Sequence, residues 1–172
     1  MNMNGCTDGC QEKYVAVQDR MADLVEKAQA MQRRYLDLAE RDMEAFRAYM
    51  KALKMPRTTD EERNARAASL AVAARDATAV PLETVELSEA LMKLALEALE
   101  HGNKNAASDA VAAAQIANAT AQIASYNVRI NLPGIGDANF RDAAVSRMES
   151  AMGRIESLLA EADRIFGASE GV

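Results

Sequence analysis

The stretch from His101 to Leu132, HGNKNAASDAVAAAQIANATAQIASYNVRINL, constrains the fold of this chain more than any other. A glycine stop and a polar Asn103-x-Asn105 turn lead into an alanine-rich run. Alanine loses no side-chain entropy on entering a helix, and its small side chain lets a second helix approach closely. The run predicts a helix from about Asn105 to Asn131, packed tightly on its neighbours. Asparagine and aspartate gain nothing from such a helix, so their placement asks for a reason. Asp109 and Asn127 are separated by about five turns at ~3.6 residues per turn and share a face. Asn105 and Asn131 extend the same stripe by one turn at each end, and its middle carries Ala112, Ala113, Ile116, Thr120 and Ile123. Polar ends thus flank an apolar centre.

The rest of the chain fits the same class. Its 172 residues suit one domain with a substantial core. Aromatics are only 4% and tryptophan is absent, while alanine and methionine are abundant, a mix that favours an all-α protein. A formal charge of −6 argues against nucleic-acid binding, which needs clustered Lys and Arg. No apolar run approaches the ~20 residues of a membrane span. MNMNGCTDGCQEKY lacks the basic-then-apolar order of a secretory signal, so a cytoplasmic location is expected by default. Cys6 and Cys10 read as free thiols in a mobile terminus, because the lone His101 is too distant in sequence to complete a metal site with them. No metal is expected.

Periodicity predicts a single up-and-down-like bundle of about five long helices, with residues 1–11 a mobile N-terminus, 12–167 the helical domain and 168–172 a tail. The first helix, from near Glu12 to near Lys54, has a seam of Tyr14, Val17, Met21, Leu24, Ala28, Met31, Tyr35, Leu38, Asp42, Ala45, Tyr49 and Ala52. Steps of three and four are the heptad pattern of lengthwise packing. Met55-Pro56 ends it, and Thr58 to Glu62 supply a capping box for a second helix, Asp60 to Thr78. Val80-Pro81 predicts a break, with Pro81 opening a third helix to about Glu100 whose stripe is Leu87, Leu91, Leu94 and Ala98. Gly102 should end it in the left-handed conformation, with His101 complementing the helix dipole. After the alanine-rich helix, Leu132 to Gly136 form a turn, and Gly134-x-Gly136 lacks the third glycine and Walker lysine of a nucleotide loop. Asp137 caps the last helix, whose apolar face is Ala144, Met148, Ala151, Ile155, Leu158 and Ala162.

Several polar residues have two readings. Asp42 takes a seam position where Leu or Met belongs, and a carboxylate there must find partners or a raised pKa. Alternatively the seam turns, with Met43 and Phe46 entering the core. Asn103 and Asn105 either satisfy backbone groups between helices or bind a ligand, and Asp109 either stabilises the early turns of its helix or joins them. Asn127 and Asn131 either bind a ligand or bond to another helix, in one subunit or across two. Eighteen residues at ~1.5 Å rise put Asp109 about 27 Å from Asn127, so one small ligand touches both only if an antiparallel homodimer brings the two ends together.

The chain resembles the cyclodeaminase domain of formiminotransferase-cyclodeaminase, whose stand-alone bacterial relatives include methenyltetrahydrofolate cyclohydrolases. Five motifs in register carry the resemblance: Asp42-x-x-Ala45-Phe46, Pro56-x-x-Thr59-x-Glu61-Glu62-x-x-x-Arg66, Ala77-Thr78-x-Val80-Pro81-Leu82, Gly102-Asn103-x-Asn105-x-x-Ser108-Asp109-Ala110 and Asn127-Val128-x-Ile130-Asn131-Leu132. The family's further N-terminal helical segment, opened by a Pro-Gly-Gly-Gly-Ser-like loop, is not found in these residues. The resemblance implies a tetrahydrofolate derivative as substrate and no cofactor. It also implies ring opening or closure at the carbon between N5 and N10, by carboxylate acid–base catalysis. Asp109 and Asp42 are the catalytic candidates. Asn103, Asn105, Asn127 and Asn131 would orient the pterin or a water, Arg66 would pair with a tail carboxylate or simply be solvated, and the assembly would be a homodimer. The alternative is a non-catalytic or truncated homologue that dimerises or binds a ligand.

Overall fold

The computed structural model describes residues 8–170, with side chains described over 18–168. Four long helices account for nearly all of it: α1 (Asp8–Leu53), α2 (Asp60–His101), α3 (Ala107–Asn131) and α4 (Ala138–Glu170), with short 3-10 turns at Lys104–Ala106 and Leu132–Gly134. Cys6, with the side chains of Cys10, Tyr14 and Val17, lies outside the described residues.

The helices alternate in direction. Arg41 of α1 makes a two-bond fork with Glu83 of α2 at 2.8 and 2.8 Å, while Arg20 reaches Glu97 at 2.5 Å, so α1 runs antiparallel to α2. On the other side of α2, Arg147 forks onto Glu86 and Arg154 reaches Glu89, which sets α4 parallel to α2. The Arg41 guanidinium holds the Glu83 carboxyl below the usual range, and that of Arg154 does the same for Glu89. α2 is the central helix, against which α1, α3 and α4 all pack.

Two expected helices are therefore one, and the described residues form four long helices rather than five. Pro81 lies buried inside α2, where it removes an amide donor and would ordinarily break the helix. The orphaned acceptor is the carbonyl four residues earlier, Ala77, and the side chain of Asn131 donates to it at 2.6 Å. Nearby hydroxyls cling to the same helix, Thr78 to the Ala74 carbonyl at 2.8 Å and Thr84 to that of Val80 at 3.1 Å. A break predicted from local rules is thus repaired by a residue on another helix.

Burial follows the heptads with one shift. On α1, Leu38, Ala45 and Ala52 are buried while Met43 and Phe46 are 51% and 63% exposed, so the seam does not turn. α4 buries Ala144, Met148, Ala151, Ile155 and Ala162, as its periodicity predicts. On α2 the deepest residues are Thr78, Val85, Ser88 and Met92; of the Leu87–Ala98 stripe Leu94 is buried and the rest are half-buried, because a helix enclosed by three others is buried on several sides. On α3 the buried row is Ala114, Ala117, Ala121, Ala124 and Val128. That row lets α3 press closely on α2, and it leaves the Asp109–Asn127 stripe facing outward.

Two end signals behave differently. The Thr59–Glu62 capping box forms in full, and the Asp137 carboxylate accepts from the Phe140 amide at 3.1 Å. Gly102 is extended (φ −79°, ψ −171°), not left-handed. Its glycine is required by close approach: a Cβ there would sit 2.4 Å from the Ala98 carbonyl oxygen.

Candidate functional site

α1 and α3 both lean on α2, and a groove opens between them. Val80, Pro81 and Thr84 of α2 form its floor. Two chambers lie along it. The first, about 310 Å³, is walled by Tyr35, Leu38 and Asp42 of α1 and by Thr120, Ile123 and Asn127 of α3. The second, about 320 Å³, is lined by Asp42, Phe46, Tyr49, Ala77, Asn127 and Asn131, among others. Asp42 and Asn127 line both chambers and so stand at their junction, on opposite walls. Among the described residues, Asp42 is the only carboxylate lining either one.

The placement of Asp42 follows from the seam. Tyr35, Asp42 and Tyr49 are seven residues apart in succession and share one row of α1, about 10.5 Å per step at ~1.5 Å per residue. Tyr35 and Tyr49 of that row line the first and second chambers, and Tyr35 also bonds to Ser88 of α2. At Asp42 it meets the groove, so the carboxylate is exposed in a cleft rather than sealed in the core. The two tyrosines were read from sequence only as seam residues; aromatic hydroxyls flanking a seam carboxylate at heptad spacing are the signal that marks them. Tyr35 shares a hydrogen bond with Ser88 at 3.0 Å, and burial pushes its hydroxyl pKa up.

The structure brings together some of the residues singled out from sequence and separates others. Asp42, Asn127 and Asn131 share the groove. Asn131 spends a donor of its amide on Ala77, so it bonds to another helix of its own subunit. Asn103, Asn105 and Asp109 are exposed at the opposite end of α3, and the Asn103 side chain accepts from the Asn105 amide at 3.0 Å. Arg66 lies against the end of α1, donating to the Leu53 carbonyl at 3.4 and 3.3 Å, and lines neither chamber. Within one chain the two carboxylates Asp42 and Asp109 do not meet. Among the described residues no cluster of three or more His, Cys, Asp or Glu is arranged to hold a metal ion.

The outer surface beside the groove is unusually apolar. Ile116, Ile123 and Ile130 of α3 are 65%, 63% and 76% exposed and repeat every seven residues. Met43, Phe46 and Met50 continue the apolar surface on the α1 side.

Comparison with known proteins agrees with this architecture. The chain is 36% identical over 152 residues to the methenyltetrahydrofolate cyclohydrolase of Methylorubrum extorquens, a match covering 88% of this chain and 70% of that protein. It is 39% identical over 122 residues to the formimidoyltransferase-cyclodeaminase of Mus musculus, covering 70% of this chain but only 21% of that longer protein. The fold superposes on the crystal structure of formiminotetrahydrofolate cyclodeaminase from Thermotoga maritima with a TM-score of 0.78 and 30% identity, over 90% of this chain and 73% of that one. Residues 2–150 match the family described as formiminotransferase-cyclodeaminase, and with the shared bundle and motifs the chain belongs to that family.

Proposed function

We propose that the Asp42–Asn127 groove is the active site of this folate one-carbon enzyme, and that it works on the carbon held between N5 and N10 of a tetrahydrofolate. Two reactions fit, hydration of 5,10-methenyl-tetrahydrofolate to the 10-formyl form and ammonia loss from 5-formimino-tetrahydrofolate. The 36% identity to a cyclohydrolase over most of the chain favours the first. The observation that carries the reading is a lone carboxylate facing an amide across a cleft with an apolar floor.

Proton transfer falls to Asp42, and in the dimer set out below the partner's Asp109 would share it. In hydration, a water adds to the cationic methenyl carbon as Asp42 takes one of its protons. Asp42 then returns that proton to N5 while the C–N5 bond breaks, the carbinol O–H proton leaves to solvent, and the formyl group stays on N10. In ammonia loss, N10 attacks the carbon of the protonated formimino group, whose nitrogen becomes an amine; the N10 proton goes to Asp42 and on to that amine, ammonia departs, and the methenyl cation remains. The same carboxylate stabilises positive charge on the one-carbon unit, and Asn127 orients the pterin or the water from the opposite wall. Arg66, which donates to the Leu53 carbonyl at the end of α1, would pair with a carboxylate of the folate tail.

A homodimer would complete this site. Antiparallel pairing of two α3 helices about the midpoint of Ile116 and Ile123 would set Ile116 of each against Ile123 of the other, an isologous contact. The same operation sets residue 109 opposite residue 130. The partner's Asp109 then falls about 4.5 Å along the axis from Asn127, by three residues of ~1.5 Å rise, instead of about 27 Å as in one chain. Asn103 and Asn105 would approach the same cleft from the partner's helix end. A cytoplasmic location fits this reading, and none of the described helices is long and apolar enough to cross a membrane.

The test is loss of the methenyl chromophore with purified protein. Wild type should exceed the spontaneous rate, and Asp42→Asn, nearly isosteric at an exposed position, should fall about 100- to 10,000-fold, the range for losing a general acid–base group. Folded protein with no rate above background would instead support a ligand-binding or scaffold homologue.

A further inference from the structure

The repair at Pro81 lies beside the active-site groove. Pro81 forms part of the floor of the first chamber, and Ala77 and Asn131 line the second. The bond from the Asn131 side chain to the Ala77 carbonyl, at 2.6 Å, therefore forms part of the groove wall. It takes the acceptor that an amide at position 81 would have used in an uninterrupted helix. Asn131 is also the last residue of α3, and Asn127 is one turn before it on the same face. The turn that follows seats against the same stretch of α2, where a Cβ at Gly134 would lie 3.6 Å from that of Ala74. The end of α3 thus rests on α2 at Ala77 and Ala74, about one turn apart. Neither contact is available to the groove if α3 slides or rotates.

We propose that Asn131 is a positioning residue: its amide replaces the N–H that Pro81 lacks, and by tying the last turn of α3 to α2 it holds Asn127 at its working distance from Asp42. Proline and asparagine then act as one unit, fifty residues apart in sequence. The proline opens an acceptor on the groove wall, and the asparagine fills it from another helix. This rests on the groove being the catalytic site, as proposed above.

A double-mutant cycle tests it, with Asn131→Ala, Pro81→Ala and the pair, assayed at a temperature where circular dichroism shows every variant folded. Asn131→Ala should lower kcat about tenfold and leave KM within about threefold, because the substrate still binds but meets a misplaced amide. Pro81→Ala restores a donor to Ala77, so adding Asn131→Ala should cost no more than about threefold relative to Pro81→Ala alone. An equal loss in both backgrounds would mean that Asn131 acts on the substrate directly, and would overturn the proposal. Asn131→Asp supplies a signature that simple destabilisation would not. Its carboxylate cannot donate, but its acid form can, so its kcat relative to wild type should rise as pH falls. A flat ratio overturns the positioning role. Should wild type show no turnover, the functional reading fails, yet the cycle is still readable in melting temperature. A smaller loss from Asn131→Ala in the Pro81→Ala background would support the proline–asparagine unit, and equal losses would sink it.

Discussion

Asp42→Asn and Asp109→Asn proteins, each nearly inactive alone, should regain activity when mixed. The reasoning is geometric. Asp109 lies about 27 Å from Asn127 along a straight helix, too far to serve the groove of its own chain. In the homodimer proposed above, antiparallel pairing of the α3 helices would bring it to the groove of the other chain. If each site uses Asp42 from one subunit and Asp109 from the other, a mixed dimer holds one site with both carboxylates lost and one with both intact. Random exchange of equal amounts makes half the dimers mixed, and half their sites are intact, so activity should recover to about a quarter of wild type. The single variants should sit about 100- to 10,000-fold down, so a recovery of this size stands far above their sum. The assay is decay of the methenyl absorbance after the two proteins are unfolded together in mild denaturant and refolded, with each refolded alone as control. A mixture no more active than the controls, while light scattering shows that mixed dimers have formed, would refute the shared site. Full activity in Asp109→Asn alone would refute it as well.

Other expectations concern the scaffold. Ile123→Asp should shift the protein toward monomer in light scattering, because a charge then replaces an exposed isoleucine that dimerisation would bury at about 1–2 kcal/mol per side chain; an unchanged dimer would place the interface elsewhere. Gly102→Ala should destabilise by about 1–3 kcal/mol in denaturant unfolding, since its methyl group would meet the Ala98 carbonyl oxygen at 2.4 Å; a neutral result would mean the α2 end relaxes freely. Ile155→Ala, at a side chain with 0% exposure between α2, α3 and α4, should cost about 2–5 kcal/mol. Glu89 is held below its ordinary value of 4.5 chiefly by Arg154, so it contributes stability at neutral pH that is lost as pH falls through its lowered folded pKa. The melting-temperature gap between wild type and Glu89→Gln should therefore be wide at pH 7 and close in strong acid, and an equal gap at both would exclude the ion pair as its source.

Much of the fold could be read from local pattern alone. The heptad row of α1, the Thr59–Glu62 capping box, the Asp137 cap and the apolar face of α4 all depend on residues three or four apart, so short windows of sequence contain them in full. The alanine run likewise announced a helix made for close packing. At Gly102 the residue type was informative but its reason was not, because a close carbonyl rather than a left-handed backbone excludes the side chain.

What sequence could not decide was which face meets which. Asp42 stood out as a carboxylate in an apolar row, yet only the packing of α1 and α3 on a shared α2 shows that this row meets a groove there, with Asn127 on the far wall. The alanine row, not the Asp109–Asn127 stripe, took the core, since small side chains allow the closest approach to α2. The proline is the clearest case. Local rules end a helix at Pro81, and they hold only while the orphaned carbonyl has no other donor; Asn131 supplies one from a distant part of the chain. Sequence by itself determined the helices, whose hydrogen bonds close within a few residues. Tertiary structure alone decided the groove and the continuity of α2, because the partners that make them come together only when separate helices pack.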